Sequence, residues 1–145
     1  MHLKINKDGL DIIKYYESFS SKPYYCPSNL LTIGYGHVIK SNEQFSSINI
    51  DQAEELLNKD ISIAEKFINR NINIDLNSNE FSALISLVYN IGNGNFQRST
   101  LRIKLNRDEN RQDISNEFLR WDKSRGKVLN GLTKRRVSES LLFLA

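Results

Sequence analysis

The sequence predicts an α+β fold: a small N-terminal β-sheet lobe and a larger helical C-terminal lobe, joined by a long helix. Two observations carry this prediction. Apolar residues recur at helical spacing along two segments beyond residue 50, whereas residues 20–39 combine turn residues with β-formers. At 145 residues, 39% apolar and 26% charged, the chain has the size and composition of one globular domain, 1–145.

The first helix is expected to start from an Asn6 N-cap and run to about residue 19. Asparagine caps well, and Asp8 suits the positive end of the helix dipole. Leu10, Ile13 and Tyr16 mark its apolar side. Pro23, Pro27-Ser28-Asn29 and the stretch from Leu30 to Val38 then read as a small antiparallel sheet, with strands near 24–26 and 32–37. This β lobe covers about 20–48. Asn49 and Gln52 form a capping-box pattern that opens the long helix. Ala53, Leu56, Leu57, Ile61, Ala64, Phe67 and Ile68 carry it over about 50–69. Asn77-Ser78-Asn79 opens a third helix through Phe81, Leu84, Ile85 and Val88, ended by Gly92. Shorter helices are expected near 98–106, 110–122 and 133–143, completing a helical lobe over about 77–145.

The formal net charge of +3 hides a division. Residues 98–136 hold twelve basic and five acidic side chains, while residues 51–97 hold three basic and seven acidic. The basic part would attract a polyanion, either nucleic acid or an acidic cell wall, although a solvated helical face accounts for it equally well. The longest apolar run, Leu141 to Ala145, is far short of the roughly 20 residues that span a membrane, so no stable membrane insertion is expected. Asp8 and Asp11 interrupt any signal-like apolar stretch at the N-terminus. Synthesis in the cytoplasm without a signal peptide is therefore expected. The single cysteine, Cys26, cannot form an internal disulfide.

Glu17, Cys26 and Thr32 stand as E-x8-C-x5-T around the glycine-containing stretch Thr32-Ile33-Gly34-Tyr35-Gly36-His37. Glu17 lies seven residues after Leu10 and four after Ile13, on the apolar face of the first helix near its C-terminal end. Burial and the negative end of a helix dipole both favour the protonated form of a carboxylic acid. Such an acid can donate its proton to a leaving group. Gly34 and Gly36 allow a sharp turn or a close backbone approach. With no βαβ unit around them, they do not read as a nucleotide loop.

This motif resembles that of the phage-type lysozymes, the endolysins of glycoside hydrolase family 24. Tyr89 to Phe96, Ser99-Thr100-Leu101, and Trp121 followed by Gly131-Leu132-Thr133-Lys134-Arg135-Arg136 extend the resemblance, in order, from about residue 10 to about residue 142. The resemblance implies a lysozyme-like fold and hydrolysis of the β-1,4 bond between N-acetylmuramic acid and N-acetylglucosamine in peptidoglycan, without a cofactor. Glu17 would be the general acid, with Cys26 and Thr32 activating and placing water.

Cys26 departs from the commoner aspartate. An ordinary thiol titrates near about 8.5, so a working Cys26 would serve as thiolate base or as nucleophile, and otherwise as a small packing residue on a strand. Tyr89, Asn90 and Trp121 resemble cleft-wall residues. Arg136 is assigned to the substrate site, although the spacing leaves open whether Arg135 or Arg136 approaches Glu17. His37 and Asp60 match an ion pair of the family. With His2 the only other histidine and no zinc-ligand spacing, no metal is expected. Expected partners are peptidoglycan and a holin for release after synthesis in a host, with action on the cell wall as a monomer and no nucleic acid. Two rival readings remain: a lytic transglycosylase, in which Cys26 and Thr32 would lack their roles, and a non-catalytic wall-binding pseudoenzyme.

Overall fold

The computed structural model describes residues 2–145. Helix α1 (Lys7–Glu17) starts where the Asn6 side chain accepts the Gly9 N–H, which satisfies one of the free donors of the first turn. Strands β1 (Ser20–Tyr25), β2 (Leu31–Gly34) and β3 (His37–Val38) form one antiparallel sheet in that order. Tyr24 pairs with Thr32, and Ile33 with His37. The stretch expected as one strand over 32–37 is split because Gly34 and Gly36 take positive φ values of 68° and 86°, which glycine adopts without steric cost. Cys26 lies just beyond β1 rather than within a strand.

Helix α2 (Ile50–Asn71) carries the complete Asn49/Gln52 capping box, and its N-terminal half supports the sheet. Ile33, Ile48 and Ala53 form a small buried cluster there, flanked by Tyr35, Ile39, Phe45 and Leu56. Helix α3 (Ser78–Ile91) opens with a second capping box, Asn77/Glu80, and is buried from Glu80 to Val88. A helix that is buried on all sides is the centre of a helical lobe. Around it pack α1, α2 and α7 (Asn130–Leu144). A Cβ at Gly9 would lie 2.7 Å from the Ser82 Cβ, so α1 sits directly on α3. Phe81, Leu84, Ile85, Phe96, Phe118 and Phe143 fill the main core, each worth about 1.5–3 kcal/mol on burial.

The C-terminal half departs from expectation in three places. A short helix α4 (Asn93–Gln97) follows Gly92 at once, and α5 (Thr100–Asn106) follows it under a Ser99 cap. Helix α6 (Arg111–Phe118) stops before residue 122, where Lys123–Ser124 (β4) and Lys127–Val128 (β5) make a hairpin around Arg125 and Gly126. Helix α7 then begins at Asn130, earlier than the expected 133, without a side-chain cap.

Candidate active site

Three neighbouring pieces of chain bring the E-x8-C-x5-T residues to one cleft between the lobes. Glu17 ends α1, Cys26 follows β1 and Thr32 lies in β2; all three line a cavity of about 590 Å³. That volume is in the range of small-ligand clefts. Tyr89, Asn90 and Trp121 line the same cavity from the helical lobe.

The chain leaves α1 abruptly. Ser18 has φ 58° and ψ 163°, a region nearly restricted to glycine and costing of the order of 1–3 kcal/mol. Its N–H still donates to the Lys14 carbonyl, so the helix closes and Glu17 is held at its end. Gly36 passes so close to this carboxylate that a Cβ there would lie 2.5 Å from Oε1. Cys26 and Thr32 are tied through one acceptor. The Leu30 carbonyl receives the Cys26 N–H at 3.0 Å and the Thr32 hydroxyl at 2.8 Å. The hydroxyl proton is thereby committed inward, leaving the Oγ1 lone pairs to accept from a molecule in the cleft.

From the opposite wall, Arg135 Nη1 donates to Glu17 Oε2 at 2.6 Å. Its Nη2 donates to the Ser86 carbonyl at 3.0 Å and its Nε to Glu139 Oε2 at 3.2 Å. Arg136 does not reach the cleft, which corrects its assignment to the substrate site. Its side chain is fully buried, directed at Glu139 and at the Trp121 carbonyl. Neighbouring residues on a helix point about 100° apart, and the packing of α7 turns Arg135 toward Glu17 and Arg136 into the core. Burial works against both guanidinium charges. Glu17 and Glu139 nevertheless hold Arg135 above its ordinary value, whereas Arg136 is pushed down to about 10 by burial, with Arg135 adding to the fall.

Burial also holds the phenol of Tyr89 well above its usual range, with Glu17 and Asp60 nearby adding to the effect. That hydroxyl donates to the Tyr35 carbonyl at 2.6 Å, fastening α3 to the turn between β2 and β3. Tyr24 is likewise raised, by burial first and then by Glu17. His37 Nδ1 lies 2.7 Å from Asp60 Oδ2, and its Nε2 lies 2.9 Å from Glu43 Oε1. The hydrogen bond to Asp60 is the largest influence raising His37, and Glu43 is lowered by the Lys40 N–H and then by His37.

Sequence reading missed Tyr24, Glu43, Ser86 and Glu139. The Arg135-Arg136-x-x-Glu139 spacing was a usable signal, because residues three and four apart share a helix face. Ser86 and Glu43 offered none, since their roles depend on which elements meet.

The phage lysozyme family model matches residues 14–139. The chain is 38% identical over 144 residues to an endolysin of Bacillus phage B103, covering 98% of this chain and 54% of that protein. It is 39% identical over 145 residues to an endolysin of Acyrthosiphon pisum secondary endosymbiont phage 1, covering 97% and 98% respectively. The chain thus spans about half the length of the first relative and nearly all of the second. Among solved structures, an endolysin from Escherichia coli O157:H7 phage FAHEc1 superposes with a TM-score of 0.87 at 30% identity, covering 99% of this chain and 95% of that one.

Proposed function

The chain belongs to the phage lysozyme family, and from that premise we propose that it is an endolysin acting as a muramidase, with residues 1–145 as a single catalytic domain. Its substrate is the β-1,4 bond between N-acetylmuramic acid and N-acetylglucosamine in peptidoglycan. The observation that carries the reading is the meeting of Glu17, Cys26 and Thr32 at one inter-lobe cleft, with a guanidinium bound to the Glu17 carboxylate.

In this mechanism Glu17 is the general acid. It transfers its proton to the O4 of the departing N-acetylglucosamine as the bond from C1 of N-acetylmuramic acid breaks. A water on the far face of the sugar supplies the new oxygen at C1. Thr32 Oγ1, its own proton held by Leu30, accepts one hydrogen of that water and so orients it. The Cys26 thiolate takes the other proton as the new bond forms. Tyr89, Asn90 and Trp121 provide the wall of the helical lobe along which the glycan lies. The His37–Asp60 pair sits at the sheet-to-long-helix joint as a structural brace. The basic helical lobe favours an anionic wall. Release through a holin and action as a monomer complete the proposal. Among the described residues no helix is long and apolar enough to cross a membrane.

Digestion of purified walls in isotopically labelled water tests the reaction. Each new reducing end is expected to carry one solvent oxygen and to appear first as the α anomer, the outcome of inversion. Anhydro products lacking one water mass would instead identify a transglycosylase. An initial β anomer would make Cys26 a covalent nucleophile. In parallel, Glu17→Gln is expected to lower lysis by orders of magnitude while the fold persists.

A further inference from the structure

Beneath the cleft, four charged groups meet with almost no solvent. Glu139 is fully buried, Arg135 and Arg136 nearly or fully so, and Glu17 is 17% exposed. Glu139 Oε2 accepts from Arg135 Nε, from Arg136 Nη2 and from the Ser86 hydroxyl. Arg136 Nε is 2.8 Å from Glu139 Oε1 but too poorly aligned for a hydrogen bond, so that contact is Coulombic only. Two guanidinium groups thus face two carboxylates, and of the four only Glu17 and Arg135 line the cleft.

Resting on the reading of Glu17 as general acid, we infer that Glu139 is a positioning residue. It holds Arg135 by Nε so that Nη1 meets Glu17, and it cancels one of the two guanidinium charges beneath that carboxylate. Without Glu139, Arg135 would be held only by its Nη2 bond to the Ser86 carbonyl and by Glu17 itself. With both guanidinium groups left uncompensated, the ionised form of the acid would be favoured when the protonated form is needed. The charged and titratable groups facing Glu17 are Arg135 and Arg136 from α7, Tyr24 and Cys26 from the β lobe, Tyr89 from α3 and, lining the same cleft, Lys123 of β4, which is paired with Asp122. Of the cations, the two arginines are bound by Glu139.

The test uses the full chain and soluble, uncrosslinked glycan strands, following kcat and KM against pH. Glu139→Gln keeps the shape and removes the charge. Its kcat is expected to fall at least about tenfold with KM nearly unchanged, since the group acts on the reacting acid rather than on sugar binding. The alkaline limb of the kcat profile is expected to move down by about one pH unit, in line with the loss of a neighbouring charge.

Ser86→Ala keeps every charge and is small enough to be tolerated. By removing one hydroxyl from Glu139, it draws the guanidinium groups harder onto that carboxylate, so the same limb should move up by a few tenths of a unit. Opposite shifts in the two variants are what a purely structural role would not produce. A folded Glu139→Gln protein with the wild-type profile would overturn the inference. Should Glu139→Gln not fold, an unchanged profile in Ser86→Ala would do so. Full lysis by Glu17→Gln would refute the general acid itself, a different outcome from either of these.

Discussion

Gly36→Ala is a severe test of the site's geometry, because it adds one methyl group to the backbone that faces Glu17. The new Cβ would lie 2.5 Å from Oε1, 2.7 Å from Cδ and 3.1 Å from Cγ of Glu17. Carbon contacts are comfortable near about 3.5 Å, so the carboxylate must retreat by about 1 Å. The clash is with the end of a flexible side chain and therefore need not prevent folding. Two costs follow. Alanine at φ 86° loses about 1–2 kcal/mol through left-handed backbone strain. Pulling Glu17 from Arg135 Nη1 costs about 1.5–3 kcal/mol more, the worth of a charge-assisted hydrogen bond.

The expected stability loss is thus of the order of 2.5–5 kcal/mol, while a 1 Å misplacement of the acid costs about 10²-fold in rate. Urea unfolding and clearing of bacterial walls read the two effects separately. Gly126→Ala is the matched control, with φ 82° and nothing within 4 Å of the added Cβ. It should lose comparable backbone stability and no activity. A folded Gly36→Ala protein that clears walls within a few-fold of wild type would refute the close packing of Gly36 against a working Glu17.

Two further predictions concern neighbouring groups. Cys26→Asp should keep substantial activity with a pH optimum moved downward, whereas Cys26→Ala should be folded and nearly inactive; full activity of the alanine variant would reduce Cys26 to packing. For His37, raised by Asp60 and Glu43, the stability contribution is fully present below its unfolded value of about 6.5 and lost as pH rises through the folded value. Glu43 is lowered, so its contribution is present above its unfolded value and lost as pH falls through the folded one. Thermal unfolding should therefore show a loss as pH rises above about 6.5 that disappears in His37→Gln; an equal loss in both proteins would remove the pair as its source.

Much of this protein was legible in its sequence, because much of it is local. The Asn49 and Asn77 caps act within one helical turn, and so could be read from three or four adjacent residues. The α+β division followed from periodicity, and the resemblance carried by Glu17, Cys26 and Thr32 named three residues that line one cleft. What remained hidden depends on distant chain segments. The β4–β5 hairpin consists of two-residue strands, too short to leave a periodic signal. Glu43 became a second partner of His37 only when the loop after β3 folded back on it. Arg135 and Arg136 are chemically identical neighbours in the sequence, separated only by their direction on α7. The fit of that helix against α3 and α6 turned one guanidinium to Glu17 and buried the other. Tertiary packing made that choice, because a helix fixes the angle between successive side chains but not its own rotation about its axis.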